Sequence, residues 1–510
     1  MSAHPRFALA ALAAGALAAV LLPGAPAGLG YVLVALALVA AGWVLRSGRT
    51  TTPGPDGDDA SRAEDGAPGA PRRGVESTLL AVLALALASS AAFRDAGWVV
   101  GGELVAALVL GSIAVAAPHG WRATALAALA PLRLASGLQR VVSTPLRELA
   151  AGSNAGNAFA IGRGLLLTGL LVAVFGALFA TSDRAFAQLA GDVLPNDIAL
   201  SNLPLRIFVF ALVAGLAGAL IWAAAIVDEP ARRPLLHLGR VEWRLALGAL
   251  NVLFALFVAV QVAVLFGGDD YVRDSAGLTY AEYARSGFAQ LVVVAVLTLG
   301  VIGAALRWAR TDDVRQARML RALLAALCLL TLVVLASALH RLGLYERAFG
   351  FTRARLAVHA LLLFGGGLFV LVLAALASGR REWLARAIVL LGTLAALAFW
   401  VSDPDRRIAT HNVERFEATG DLDVDALADL SADAVQVLAR LPEPLRTRVL
   451  GRQRDRLAGS GDGLAGANLA RARARDAIAA LPCESDGFAW PPRDDDLKWP
   501  HLALGGRCRR

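Results

Sequence analysis

Residues 356–378 read LAVHALLLFGGGLFVLVLAALAS, an apolar run of 23 residues that contains no Asp, Glu, Lys or Arg. A helix needs about 20 such residues to cross the hydrocarbon core of a bilayer, so this run predicts a membrane-spanning helix. Similar runs fill the first 401 residues, whereas the last 109 residues are polar. We therefore predict an all-α integral membrane bundle that is followed by a small helical tail.

Eleven segments of this kind are present, and we predict that each one crosses the membrane. They lie near 7–22, 28–45, 77–93, 97–117, 160–181, 205–227, 244–266, 287–306, 319–339, 356–378 and 384–401. The first segment has a second interpretation, because Arg6, the apolar run and Ala25-Pro26-Ala27 are also typical of a cleaved signal peptide.

The predicted domains follow from this pattern of apolar and polar segments. They are two N-terminal spans over 1–45, a disordered linker over 46–76, a polytopic domain over 77–401 and the tail over 402–510. The linker is rich in Pro, Gly, Asp and Ala and has no apolar period, which is why we expect disorder. Residues 121–149 alternate apolar residues with arginines, so we expect an amphipathic helix on the membrane surface.

The composition agrees with a membrane protein, since 57% of the residues are hydrophobic and the mean hydropathy is +0.59. The formal net charge of +8 does not indicate nucleic acid as a partner, because the arginines are concentrated in particular connecting segments. The enrichment in Arg and Ala is typical of a GC-rich bacterial genome. These features predict a multi-pass membrane protein from a bacterium.

The arginines also predict the orientation. With a cytoplasmic N-terminus, the inside segments carry 22 arginines and the outside segments carry eight, which agrees with the positive-inside rule. The tail is then extracytoplasmic. Half of the eight outside arginines lie in 340–355, which breaks the rule. Either this loop re-enters the membrane, or a span is miscounted, or its arginines have a structural or functional role, which is the interpretation we favour.

The tail is predicted to form several short helices, of which the first continues from the last span. Ser431 is a candidate N-cap, with Asp433 in the first turn. Cys483 and Cys508 are the two cysteines of the tail, and in an oxidising compartment they would form a disulfide. The alternative is a pair of free thiols in a cytoplasmic tail.

No motif for a P-loop, a zinc protease or a zinc-binding cysteine pair occurs in the sequence, so we predict no cofactor and no metal and lean against an enzyme. Polar residues within spans are better candidates for function, because each is costly in lipid. These are Glu103, Asn251, Gln261 and His359. The alternative is that they lie at the interface or form hydrogen bonds between helices.

Three predicted outer loops, near 181–186, 267–288 and 340–355, carry many polar residues. Together with Glu103 they give a candidate outer-face cluster. Its members are Glu103, Asp183, Arg184, Asp269, Asp270, Tyr280, Glu282, Tyr283, Arg285, Tyr345, Thr352, Arg353 and Arg355. In the second loop the alternative is a well-capped helix entry, since Thr279 and Glu282 have the spacing of a capping box.

The segments TYAEYARSGFAQL (279–291) and LYERAFGFTRARL (344–356) carry a resemblance to a known family, together with SDRAF (182–186) and the tail segment 411–435. The chain resembles the bacterial polytopic membrane proteins of the domain of unknown function family 4173, and the related group 4153 has similar motifs. The resemblance implies a multi-span protein of the bacterial inner membrane without an established activity. It adds Asn412 and Arg415 of the tail as signature positions of unknown role.

Three functions fit these observations. The first is an envelope scaffold or sensor, in which the tail binds an envelope protein. The second is a secondary transporter of a small solute, with Glu103, Asn251 and Gln261 along its path. The third is a membrane enzyme similar to lipid-linked glycosyltransferases, in which Asp183, Asp269, Asp270 and Glu282 would bind a metal or act as the base.

Overall fold

The computed structural model of the protein describes residues 5–47, 70–118, 120–149, 203–224, 238–276, 288–311, 313–459 and 462–481. The regular structure of these ranges is helical, and no β-strand occurs in them apart from an isolated bridge between Leu238 and Ala309. The prediction of an all-α fold is confirmed.

The membrane part contains thirteen α-helices within the described ranges. The first eight are α1 (Pro5–Leu21), α2 (Leu29–Ser47), α3 (Ala70–Ala88), α4 (Ser90–Phe93), α5 (Gly97–Ala116), α6 (Trp121–Leu129), α7 (Leu134–Leu149) and α8 (Leu203–Ala224). The other five are α9 (Arg240–Ala276), α10 (Phe288–Trp308), α11 (Val314–Phe349), α12 (Arg353–Ser378) and α13 (Leu384–Val401).

Nine apolar helices of the described ranges are long enough to cross a membrane, and α1 is a shorter apolar helix. Together they correspond to ten of the eleven predicted spans. The remaining span, 160–181, lies outside the described residues, as does most of the linker over 46–76.

The hairpin of α11 and α12 contains the centre of the largest apolar core. Leu324, Leu327 and Phe369 are fully buried there, and Cys328 packs among them as a small apolar side chain. The ends of α11 have clear local causes: the Asp313 carboxylate accepts the N–H of Gln316 at 2.7 Å, and Gly350 adopts φ +75° just after the last turn.

Two predicted loops are helical in the part that the structure describes. Helix α11 continues to Phe349, so only 350–352 of the predicted loop 340–355 is a turn. Helix α9 likewise continues to Ala276 and includes Asp269 and Asp270. The 36 residues of α11 are about 54 Å long at a rise of 1.5 Å per residue, which exceeds the hydrocarbon thickness. Its charged last turns therefore extend beyond the lipid and need not end the helix.

The predicted single amphipathic helix over 121–149 is also corrected. A 3-10 turn over Ala130–Arg133 divides it into α6 and α7, and both halves pack on the bundle. Glycines explain the close packing, because a β-carbon on Gly137 or Gly218 would overlap the backbone of the facing helix, so α7 and α8 cross with their backbones in contact. Trp222 of α8 donates a hydrogen bond to the Ser136 hydroxyl at 3.0 Å.

The described part of the tail, which ends at 481, is a small helical bundle, as predicted. Its helices are α14 (Pro404–Thr419), α15 (Val424–Ala428), α16 (Val435–Leu438), α17 (Leu445–Gly459) and α18 (Leu469–Ala479). Its apolar core includes Ile408, Leu427, Leu438 and Leu450, and Leu356 of α12 belongs to the same cluster. The tail therefore shares its core with the membrane helices and is not a free appendage.

The tail covers one end of the bundle, which we call the tail face. The connections that meet there are those predicted to lie outside, whereas segments predicted to lie inside meet at the other end. At that other end, Arg386 pairs with Glu76 at 3.3 Å and Arg46 donates to the Ala114 carbonyl at 2.8 Å. This grouping agrees with the predicted up-and-down order of the described spans.

Candidate functional site

The contact between the tail and the ends of the membrane helices buries several polar and charged side chains, among them Asp405, Asp433 and Arg471. Three membrane segments take part: the connection between α1 and α2, the connection before α5 (Arg94–Ala96), and the turn 350–352. We call this region the junction.

Asp405, at the start of α14, is a fully buried carboxylate of the junction. Arg353 of α12 binds it with two hydrogen bonds, of 3.0 Å from Nε and 2.6 Å from Nη2. Trp98 Nε1 and the backbone N–H of Ser431 donate to it at 3.0 and 2.8 Å. Burial alone would raise the pKa of Asp405, but the hydrogen bonds and the charge of Arg353 outweigh it and lower that pKa.

Asp433 is the second buried carboxylate of the tail. Its Oδ2 accepts the N–H groups of Asp95 and Ala96 at 2.8 and 2.9 Å, so it caps the N-terminus of α5 from a distant part of the chain. Its Oδ1 has no hydrogen bond among the described residues, and Arg94 Nη1 lies 3.7 Å away. Burial and the charge of Asp403 raise the pKa of Asp433 to about 6.

Ser431 takes the N-cap position that we predicted, at the start of the 3-10 turn Ala432–Ala434. Its hydroxyl, however, donates to Asp433 Oδ2 at 2.9 Å and makes no capping bond. The Asp433 carboxylate is therefore held from two sides, by the tail and by α5.

Arg471 and Asn468, at the start of α18, bind the connection before α5, and Arg471 also binds the connection between α1 and α2. The Arg471 side chain is 5% exposed and pairs with Asp95 at 2.7 Å and with Asp462 at 3.0 Å, so it joins the two segments. Its Nη2 also donates to the Ala27 carbonyl at 2.8 Å. Asn468 Nδ2 donates to the carbonyls of Ala91 and Arg94 at 2.9 and 2.7 Å.

The turn 350–352 is held by the amide of Asn412. Its Nδ2 donates to the Phe351 carbonyl at 2.9 Å, and its Oδ1 accepts the Phe351 N–H at 3.0 Å. A β-carbon on Gly350 would overlap this amide, and the φ of +75° also favours glycine. The next residue, Thr352, caps α12 by accepting the Arg355 N–H at 3.4 Å.

Arg355 has a structural role in the same turn. Its guanidinium donates to the carbonyl of Phe349 at 3.1 Å and stacks on the Tyr345 ring, 4.2 Å from the ring centroid. Arg353 binds Asp405 and Arg341 donates to Gln261, so three of the four arginines that broke the positive-inside rule have structural partners. This supports the interpretation that these arginines have a role.

Six of the predicted site residues thus lie at or next to the junction: Tyr345, Thr352, Arg353, Arg355, Asn412 and Arg415. Arg415 pairs with Asp421 of the tail at 3.7 Å. Glu103 is not among them, since it is buried within α5, and its Oε2 has no hydrogen-bond partner among the described residues.

The structure does not describe the positions or side chains of the other predicted site residues. Outside the described residues lie Asp183, Arg184, Tyr280, Glu282, Tyr283, Arg285, Cys483 and Cys508. The side chains of Asp269 and Asp270 are likewise not described. Cys328 is the cysteine that the described part of the chain contains, and it is a free thiol. The predicted disulfide between Cys483 and Cys508 therefore has no support from the described residues and stays a prediction.

Two further polar residues of the spans bond between helices. Asn251 Nδ2 donates to the Leu323 carbonyl at 3.2 Å, and Gln261 accepts from Ser337 at 3.3 Å and from Arg341. These bonds favour the structural alternative over a transport path. Within the described ranges, no group of three or more His, Cys, Asp or Glu side chains could hold a metal ion.

The sequence analysis missed most of the polar and charged residues of the junction: Arg94, Asp95, Asp403, Asp405, Asn468 and Arg471. A signal for four of them was present, because Arg94-Asp95 and Asp403-Pro404-Asp405 are charges placed directly at span ends on the same predicted side. Asn468 and Arg471 lie in an unremarkable arginine-rich helix, and the sequence does not mark them.

A family model described as Domain of unknown function (DUF4153) matches residues 80–441 of the chain. This is the group that the sequence resemblance named as related, whereas the expected membership in family 4173 is not shown. No curated protein and no solved structure matches the chain.

Proposed function

Because the chain belongs to the family described as Domain of unknown function (DUF4153), which supplies no activity, we propose a function from the junction: a scaffold or sensor of the bacterial inner membrane that acts through its docked tail. The observation that carries this proposal is the burial of two tail carboxylates, Asp405 and Asp433, against donors of the membrane helices.

The bonds of the junction would couple the two parts mechanically. Asp405 and Asp433 contact the N-terminal ends of two apolar helices, through Arg353 of α12 and through the first N–H groups before α5. A shift of either helix changes the distance between a carboxylate and its donors, and a buried charge that is left without its partner costs about 3–5 kcal/mol. A change in the membrane would thus alter the position or the release of the tail.

The tail would bind its partner outside the cytoplasm, which we propose from the 22 arginines of the inside segments against eight of the outside segments. A cysteine in place of the exposed Arg456, in a chain with Cys483 and Cys508 replaced by serine, tests the side. A membrane-impermeant thiol reagent added to intact spheroplasts should label it. Labelling only after lysis would contradict the proposed side.

The function itself is tested by cross-linking in cells, with a photoreactive amino acid at Arg456 of α17. We expect one specific cross-linked protein, and a changed yield in Asp405→Asn, which weakens docking. Asp425→Asn is the matched control, because Asp425 is an exposed carboxylate of the same tail. A chain without a specific cross-link, or with the same yield in all three forms, would contradict a sensor or scaffold.

A second candidate, a secondary transporter, is supported by Glu103. Its side chain is buried in an apolar helix with an unpartnered Oε2 among the described residues, and ionisable groups inside membranes often lie on ion paths. In proteoliposomes, Glu103→Gln should abolish proton-coupled uptake of the solute while Glu76→Gln, at the other end of the bundle, should not. Equal uptake in wild type and Glu103→Gln would exclude this version.

A further inference from the structure

A cavity of about 380 Å³ lies beside the junction, and we propose that it binds a phosphate group, such as that of an anionic lipid headgroup. This inference concerns a ligand and does not require that the tail acts as a sensor. The cavity is formed by the end of α13, the first turns of α14, Arg94 of the connection before α5 and one side chain of α18.

Charge is the first argument. Four arginines line the cavity, Arg94, Arg406, Arg407 and Arg473, against the single acidic residue Asp403. Asp403 is already paired with Arg94. Among the described residues, the guanidinium groups of the other three form no ion pair, and all three residues are exposed. Counted over its lining residues, the cavity therefore has an excess of three positive charges, with Asp403 as their single acidic neighbour.

The position is the second argument. The cavity begins at Val401, the last residue of the apolar helix α13, whose side chain is 64% exposed. Next to it lie aromatic rings at the same end of the bundle: Phe93 and Trp400 have centroids 6.3 Å apart, and Trp98 and Phe399 have centroids 5.5 Å apart. Tryptophan is enriched at the level of lipid headgroups, so the cavity opens at the depth of lipid phosphates.

The chemistry of the side chains is the third argument. A guanidinium group offers paired donors that match two oxygens of a phosphate, and its charge makes each hydrogen bond stronger than a neutral one. Arg406 and Arg407 follow each other on α14 and are joined by Arg473 from α18, so donors approach from two helices. The same donors would bind the phosphate of a lipid or a free phosphate ion.

The full chain, purified in a neutral detergent, tests this with three probes: short-chain phosphatidylglycerol, phosphatidylcholine of the same chain length, and sodium phosphate. Binding is measured by native mass spectrometry and by titration of tryptophan fluorescence at constant ionic strength. We expect phosphatidylglycerol to bind more tightly than phosphatidylcholine. R406Q/R407Q should weaken that binding by about tenfold or more, as expected for the loss of charged hydrogen bonds.

The matched control is R440Q/R456Q, which removes two exposed arginines of the tail away from the cavity. R473Q provides a second test from another helix if R406Q/R407Q does not fold. Displacement of phosphatidylglycerol by millimolar sodium phosphate would identify a small-anion site, and its failure would identify a headgroup site. Equal binding of both lipids, or equal losses in the cavity and control variants, would overturn the proposal.

Discussion

The hairpin core of α11 and α12 and the junction beneath the tail are both buried, but opposite kinds of side chain fill them. The core has Leu324, Leu327 and Phe369 without exposed surface, whereas the junction has Asp405 and Asp433 at similar depth. Apolar packing is tolerant of small shifts, because it has little directional preference. Buried ion pairs are costly unless every bond is made, so they define one position of the tail.

Asp405→Ala is expected to have the largest effect on docking of the tail, and it tests the difference between the hairpin core and the junction most directly. The change leaves Arg353 and the Trp98 indole without their acceptor, and the loss of one partner of a buried pair costs about 3–5 kcal/mol. The tail should become sensitive to trypsin while the membrane helices stay protected. Asp425→Ala, on an exposed residue, is the control. Equal protease resistance in both variants would show that the apolar tail core alone determines docking.

A pH dependence of docking is expected next. The pKa of Asp433 is raised to about 6 in the docked state, so that state binds more protons than the released tail between about pH 4 and pH 6. Docking should therefore weaken as the pH rises through this window, by about 3 kcal/mol in total for a shift of about two units. Asp403, which contacts the same Arg94, has a raised pKa as well and acts in the same direction.

The pKa of Asp405 is lowered, so the effect of this residue on docking has the opposite sign. Its ionised carboxylate stabilises the docked tail, and this stabilisation is lost only when the pH falls below the ordinary pKa range of an aspartate. Docking should be strongest between the pH at which Asp405 becomes protonated and the pH at which Asp433 ionises, in mildly acidic solution. Protease sensitivity of the tail, measured from pH 4 to pH 8, checks the curve, and Asp433→Asn should flatten it above pH 4. Protease sensitivity of the wild-type tail that falls as the pH rises from 4 to 6 would contradict the assignment to Asp433.

Gly350→Ala should cost less, about 2 kcal/mol, because it forces a side chain into a left-handed conformation and against the Asn412 amide. Gly343→Ala on the same helix is the matched control, since its β-carbon meets open space and alanine favours a helix. Thermal unfolding followed by circular dichroism should separate the two. Equal midpoints would mean that the turn 350–352 can move away from Asn412.

Ser431→Ala should have the smallest effect, about 1 kcal/mol, since it removes one hydroxyl donor from a carboxylate that keeps two backbone donors. The loss should be visible only where Asp433 is ionised, above about pH 6. Measuring tail release at pH 5 and at pH 7.5 distinguishes this from a general packing defect. A loss of equal size at both values would indicate packing.

Much of the membrane part was predictable, because lipid imposes long apolar helices and leaves a strong signal in the sequence. Ten predicted spans have a matching apolar helix among the described residues, α1 being the shorter one. The same signal could not show that α11 continues to Phe349, since charged residues outside the lipid are compatible with a helix or a loop.

The junction was predictable only in part, because it is made of contacts between residues far apart in the sequence. Motif resemblance marked Arg353 and Asn412, but it did not mark Asp405, the partner of Arg353. A lone Asp433 in a first turn indicates a capped helix, and only the fold reveals that it caps α5 instead of its own helix. The close crossing of α7 and α8 at Gly137 and Gly218 could likewise not be predicted, because the sequence of 121–149 indicates a helix on the membrane surface.

The long sequence separation across the junction has a consequence for biosynthesis. Asp95 and Ala96 are separated from Asp433 by 338 and 337 residues, so the ribosome makes the donors of this contact long before their acceptor. Throughout that interval the N-terminus of α5 lacks the Asp433 carboxylate as its acceptor. The guanidinium of Arg353 is likewise made before its partner Asp405. A chain whose translation stops early would thus keep an open, positively polarised helix end, a mark by which quality control could recognise unfinished copies.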